Sequence, residues 1–223
     1  MRRGGAPAAG PIDDRGGEWL AAFIEAMHAR AAATAPDLAR LIDLDGVGRV
    51  LDVGGGSGVY SMAFARTRDG VSATVFDLPN VVPLTRQYVA REGLGDRIDT
   101  AVGDYTTDPL PGGYDLVFLS AIIHSNSPGQ NAALIGKCAA ALNPGGRVAV
   151  VDFIMDDDRA APAHGTLFAL NMLVATEAGD TYTQREVGAW MTSAGLDDIV
   201  HRDTPFGTGL VIGRRSADRP PPA

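Results

Sequence analysis

The sequence predicts an α/β fold, a doubly wound and mostly parallel sheet of seven strands that finishes in a C-terminal antiparallel hairpin. Three observations carry this expectation. Short β-branched runs recur at 50–53, 71–76, 98–102, 116–119 and 148–153. Helical stretches of about 12 to 15 residues separate most of them, which is the βαβ rhythm of a parallel sheet covered on both faces. Two further runs, 199–202 and 210–212, are joined by a Pro- and Gly-containing loop at 204–209, as in an antiparallel pair. A glycine run directly follows the first strand and opens a helix at 59–66, where open α/β sheets place their ligand crevice.

Along the chain, residues 1–17 are Gly, Pro, Arg and Asp with almost nothing to bury, so a mobile, disordered leader is expected there. From Glu18, the apolar residues Trp19, Phe23, Met27 and Ala31 recur every four positions and mark one helix face. A second short helix is expected over 36–44. Strands and helices then alternate, with helices over 128–142 and 162–177, and the tail 216–223 is polar, proline-rich and expected to be flexible. One domain is therefore expected over 18–215.

Composition narrows the function. The 223 residues are 45% hydrophobic and 21% charged, which suits one well-filled core. The 19 basic and 27 acidic residues give a net charge of −8, the wrong sign for neutralising phosphate backbones, so nucleic acid is excluded as a main partner. No run approaches the roughly 18 apolar residues of a membrane span, and no apolar segment follows the first arginines to make a signal peptide. The lone Cys138 cannot form an intramolecular disulfide, and no Cys and His spacing suits zinc. A reducing, cytoplasmic setting fits, without a membrane partner.

The chemistry concentrates at the sheet's carboxyl edge. A dinucleotide fingerprint read from Gly54 would need glycine at position 59, which is Val59, so a nicotinamide reductase loses support. The pattern D-x-G-x-G-x-G is complete at Asp52, Gly54, Gly56 and Gly58. An acid in this turn repels a pyrophosphate but pairs with an ammonium group. The second strand ends in Asp77, about 20 residues on, where a carboxylate accepts both ribose hydroxyls. A third acid, Asp104, follows the next strand. Three acids at successive strand ends suit a cationic adenosine ligand.

In combination, LDVGGGSG at 51–58, FDLPNV at 76–81, GDY at 103–105, the His124 segment and NPGGRV at 143–148 resemble the S-adenosylmethionine-dependent methyltransferases of the class I, Rossmann-like fold. Within them the resemblance is to small-molecule O-methyltransferases related to the plant caffeate and hydroxyindole enzymes and to bacterial polyketide-tailoring enzymes, and it covers 23–214. It implies S-adenosyl-L-methionine as cofactor, S-adenosyl-L-homocysteine as product and no metal. It implies that Gly54 and Gly56 approach the cofactor's amino-acid part, that Asp77, with Leu78 beside it, holds the ribose, and that Asp104 and Tyr105 flank the adenine. Ser120 stands where plant relatives often carry a lysine near the adenine.

The fourth strand runs into Ile123-His124-Ser125-Asn126, placing an imidazole beyond the carboxyl edge, where a transferable methyl would sit. A phenol needs to lose its proton for its oxygen to attack, and a neutral imidazole is a suitable acceptor. The resemblance implies the same role, because His124 aligns with the family's catalytic base. The family usually follows that histidine with Asp-Trp, whereas this chain has Ser125-Asn126. Two glutamates steady the imidazole in the plant enzymes; the matching positions here are Asp152, a shorter acid, and Thr181, with Glu177 as a nearby substitute.

For the acceptor, Met27 and Met172 match positions where the family sandwiches an aromatic ring between thioethers, and Phe168, Asn171 and Thr176 share the 162–177 helix. His28 and Arg30 read as a solvated helix face. The run Asp156-Asp157-Asp158 reads as a solvated loop rather than a Mg²⁺ site, because consecutive acids point in different directions. Family members carry a further amino-terminal region that dimerises and covers the partner's pocket. A homodimer or a separate partner chain supplying that lid is therefore expected. The leading reading is methyl transfer to a hydroxyl of a small, aromatic or polyketide specialised metabolite. Its rival is a cofactor-binding homologue that does not methylate, such as a hydroxylase, a pericyclase or a partner-dependent subunit.

Overall fold

The computed structural model describes residues 16–217, so the expected leader at 1–15 and the tail from 218 onward lie outside the described residues. Seven strands form one sheet: β1 (Arg49–Val53), β2 (Ser72–Asp77), β3 (Ile98–Val102), β4 (Tyr114–Ser120), β5 (Leu142–Asp152), and, after a small separate pair described below, β8 (Leu196–Asp203) and β9 (Gly209–Arg215). Their order is β3-β2-β1-β4-β5-β9-β8. The first five pair in parallel, and β9 runs antiparallel between β5 and β8. The chain winds outward from β1 to β3 and then crosses to β4. A topological switch point, where such sheets leave a crevice, therefore lies between β1 and β4.

Both sheet faces are covered, and this explains why the strands read as continuous apolar runs. In β4, Val117 and Leu119 join the core with Leu134 and Ile135 of α5 (Pro128–Ala141) and with Val187 and Met191 of α7 (Gln184–Ser193). Leu116 and Phe118 join the opposite core with Leu38 of α2 (Ala35–Leu41) and Phe64 of α3 (Val59–Thr67). Helix starts are chemically marked. Ser127 with Gln130 opens α5, and Thr183 with Glu186 opens α7, each as a reciprocal capping box.

Two features differ from the sequence expectation. A parallel pair, β6 (Ile154–Met155) with β7 (Tyr182–Thr183), forms a separate two-stranded sheet beside the end of β5. Strands of two residues carry too little pattern to be read in advance. The first helix, α1 (Gly17–Ala32), buries Leu20 and Ile24, not the stripe of Trp19, Phe23 and Met27. Leu20 and Ile24 meet an apolar shelf made by Leu78 and Val81, just before α4 (Val82–Arg91), and by Tyr88 within it. Trp19 and Met27 each remain 38% exposed. Both stripes of this Ala-rich helix are apolar, so the shelf decides which one turns inward. No helix among the described residues is long and apolar enough to cross a membrane.

Candidate active site

The parallel strands deliver their carboxyl ends to one edge. There the glycine loop after β1, Asp77 at the end of β2, the turn after β3, the loop after β4 and Asp152 at the end of β5 share that edge. Gly54 holds φ +66°, and a Cβ on it would lie 2.5 Å from the Ile122 side chain, so the loop and the β4 loop approach closely only because this residue is glycine. Gly56 donates its N–H to Asp77 Oδ2 at 2.8 Å and accepts at its carbonyl from the Thr85 hydroxyl at 2.5 Å. The Asp77 carboxylate also accepts from the Leu78 N–H at 2.8 Å. Asp77 is thus held between the loop and the start of the next segment, half-buried at the strand end. Leu78 itself packs into the cluster around Leu20 and Ile24.

Asp52 takes a different place from the one expected. It is 1% exposed and accepts a hydrogen bond from Ser61 at 2.7 Å, with Gly55 lying directly over its carboxyl group. Such a group presents almost no surface to an entering ligand, so direct pairing with an ammonium is replaced by a brace behind the loop. Burial, partly opposed by the Ser61 hydrogen bond and reinforced by the charge on Asp77, pushes its pKa up to about 7.

The turn after β3 is locally tied. Asp104 accepts from both the N–H and the hydroxyl of Thr106 at 2.7 Å, and Lys137 of α5 donates to the carbonyls of Tyr105, Thr106 and Asp108. Burial pushes the Tyr105 hydroxyl up to about 12, so it remains a donor, and it reaches Asn126 Oδ1 at 3.4 Å. Ser120 is half-buried at the end of β4.

His124 sits in a 3₁₀ turn, Ile123–Ser125, just past β4. Its Nδ1 lies 2.8 and 3.1 Å from the two oxygens of Asp152, a carboxylate that also accepts from the N–H groups of Phe153 and His124. The buried carboxylate accepts a hydrogen bond from Nδ1–H, and the tautomer this network selects leaves the Nε2 lone pair free. The imidazole side chain is 14% exposed. Phe168 packs edge-on against the imidazole at 4.9 Å between centroids and rests on Phe153 at 4.2 Å.

The turn that carries His124 is anchored by groups that sequence reasoning missed. Tyr182 donates its hydroxyl to the Asn126 carbonyl at 2.5 Å, Asn131 donates to the Ile123 carbonyl at 2.9 Å, and Asp180 donates its N–H to the His124 carbonyl at 3.0 Å. The pattern that would have revealed them is a polar residue at an otherwise apolar core position, and Asn131 inside α5 is such a residue.

Other expected site residues are placed as follows. Thr181 is buried, but it meets Asp180 and Arg159 through its backbone, and Glu177 is exposed, so Asp152 is the acid that holds the imidazole. Thr176 bonds through its hydroxyl to the Met172 carbonyl and the Gly179 N–H at the end of α6 (Ala163–Ala175), where it also lines a cavity with Leu170, Leu173 and Asp180. Met172 is buried on the inner side of α6, and Met27 is exposed on α1. His28 is not on a solvated face: it reaches the glycine loop. Asp157 pairs with Arg185, and Asp158 accepts from the Ala160 N–H. Among the described residues no His, Cys, Asp and Glu cluster has a metal-holding arrangement. Burial pushes the Cys138 thiol up, which leaves it a core residue.

A family profile for the O-methyltransferase domain matches residues 12–197. The chain belongs to the O-methyltransferase family. It is 39% identical over 193 residues to a 3-hydroxy-5-methyl-1-naphthoate 3-O-methyltransferase of Streptomyces sahachiroi, covering 86% of this chain and 56% of that protein. It is 34% identical over 193 residues to the tetracenomycin polyketide synthesis 8-O-methyl transferase TcmO of Streptomyces glaucescens, covering 86% and 57%. A crystal structure of human N-acetylserotonin methyltransferase in complex with SAM superposes with a TM-score of 0.84 at 27% identity, covering 93% of this chain and 60% of the other. The chain thus spans little more than half the length of the curated relatives it matches.

Proposed function

We propose that the chain transfers a methyl group from S-adenosyl-L-methionine to a hydroxyl of a small aromatic or polyketide metabolite, leaving S-adenosyl-L-homocysteine, with His124 as general base. The observation that carries this reading is the His124–Asp152 pair at 2.8 Å, set at the same sheet edge as the glycine loop and Asp77. Naphthoate and tetracenomycin in the names of relatives support a fused aromatic acceptor.

The loop fits the cofactor. Gly54 and Gly56 lack the side chains that would fill the approach to the backbone, Asp77 offers a carboxylate for the ribose, and Asp104 and Tyr105 stand at the next strand end for the adenine, with Leu78 and Ser120 nearby. Bound there, the cofactor supplies a sulfonium-activated methyl group. The protein's part is position and proton transfer. Phe168, Met172 and Met27 hold the acceptor ring. His124 receives the hydroxyl proton at Nε2, and Asp152 stabilises the imidazolium that results. The same contact disfavours a homologue that has given up methylation, since a braced base is what methyl transfer to a hydroxyl needs.

On the acceptor side, α6 turns Leu167, Leu170, Leu173 and Val174 outward, the last two 74% and 76% exposed. Together with Trp19 and Met27 they support cover by a second copy or a separate partner chain. We take 18–215 as the catalytic unit and a reducing, cytoplasmic setting as its place, in keeping with the buried free Cys138. The test is transfer of labelled methyl to a panel of hydroxylated naphthoates and related polycyclic phenols. Transfer that His124→Ala abolishes supports the reading; transfer unaffected by that substitution overturns His124 as the base.

A further inference from the structure

Three elements pin the Gly56–Ser57 segment of the glycine loop. Asp77 holds the Gly56 N–H and Thr85 of α4 holds the Gly56 carbonyl. The third is α1. Ile24 of α1 lies 3.6 Å from the position a Cβ on Gly56 would take, and His28, one turn on, shares a hydrogen bond of 2.9 Å between its Nδ1 and the hydroxyl of Ser57. Ser57 is buried, and the His28 ring stacks on Tyr88 of α4 at 4.4 Å between centroids, 27° from parallel. The imidazole is therefore oriented on one side by an aromatic ring and on the other by the loop. α1 is also held to the β2–α4 segment by the small apolar cluster of Leu20, Ile24 and Val81 and packs on α3, and the His28–Ser57 contact is a side-chain hydrogen bond that joins it to the loop itself.

We propose that His28 is a positioning residue for the cofactor: through Ser57 it fixes the glycine loop and makes α1 a strap whose docking sets cofactor affinity. This rests on the reading of the loop as the cofactor site. The loop's shape is set by backbone dihedrals of glycines, which resist distortion little, so a side-chain latch is an effective way to keep its N–H groups aimed. Because Met27 neighbours His28 on the same helix, the strap also ties the acceptor side to the cofactor side.

The test is calorimetric titration of the full chain with S-adenosyl-L-homocysteine for wild type, Asp77→Ala, His28→Ala, His28→Asn, His28→Phe, Ser57→Ala and the Ser57→Ala/His28→Ala pair. Loss of one neutral hydrogen bond weakens binding by about three- to tenfold. That loss is expected for His28→Ala and for His28→Phe, which keeps the stack but not the hydrogen bond. His28→Asn, whose amide nitrogen stands where Nδ1 does, is expected within about twofold of wild type, and His28→Ala is expected to add nothing once Ser57 is alanine. A merely structural role would give no rescue by Asn. Wild-type affinity in His28→Ala, or rescue by Phe and not by Asn, overturns the proposal while leaving the cofactor site standing if Asp77→Ala has lost binding. Absence of binding by wild type overturns both.

Discussion

The two sides of the crevice are built by different means. On the glycine-loop side, the groups that would meet the cofactor are backbone atoms and strand-end carboxylates. Gly54, Gly56 and Asp77 lie within 24 residues of one another and are bonded to each other or to the adjoining strand. On the His124 side, the groups come from α1, the β4 loop, the end of β5 and α6, and their outer surface is apolar and exposed. Among the described residues, the first side is tied together by local backbone and carboxylate contacts, whereas the outer face of the second is apolar and exposed. A cofactor common to many enzymes is served by rigid local geometry, whereas an acceptor that differs between enzymes is served by helices that can be repacked.

Substitutions on the two sides should therefore separate cleanly. The largest effect is expected from His124→Ala, which should lower the methyl-transfer rate by about 10²- to 10⁴-fold while leaving S-adenosyl-L-homocysteine affinity within about twofold. A comparable loss of affinity would erase the distinction between the two sides.

Next is the brace behind the loop. With the folded pKa of Asp52 near 7 and its ordinary value at 3.8, the native state holds this proton more tightly than the unfolded chain does. Stability is thus greatest below about pH 4 as far as this group is concerned, and it falls as pH rises to about 7, then levels. Asp52→Asn should stabilise the fold at pH 8 by on the order of a few kcal/mol, read as a higher melting temperature, and have little effect near pH 3, below both pKa values. Equal stabilisation at both pH values would contradict the burial argument.

The smallest of the three belongs to Asp152→Asn, which keeps the shape but lets the amide favour the wrong imidazole tautomer. A rate loss of about 10- to 100-fold is expected, again with unchanged cofactor affinity.

Much of this division was legible in the sequence. The seven strands, the antiparallel hairpin, the glycine loop and the strand-end position of Asp77 follow from β-branched runs and from a motif whose residues are contiguous, so local chemistry suffices. His124 and Asp152 were also legible, because each stands at the end of a predicted strand in a parallel sheet. What was not legible depends on how surfaces meet. The rotation of α1 by one position, the capping use of Thr176, the inward turn of Asp52 and the contact of His28 with Ser57 are settled by packing between segments distant in the sequence or by a helix end. Periodicity within a single helix does not contain that information.

The central claim is that the chain's own residues make a cofactor site at the carboxyl edge with Asp77 at its centre. Calorimetric titration of wild type and Asp77→Ala with S-adenosyl-L-homocysteine tests it most directly. Saturable one-to-one binding by wild type is expected, with a loss of at least about tenfold in Asp77→Ala, since charge-assisted hydrogen bonds to the ribose disappear. Wild type that does not bind, or an Asp77→Ala variant that binds equally well, would contradict it.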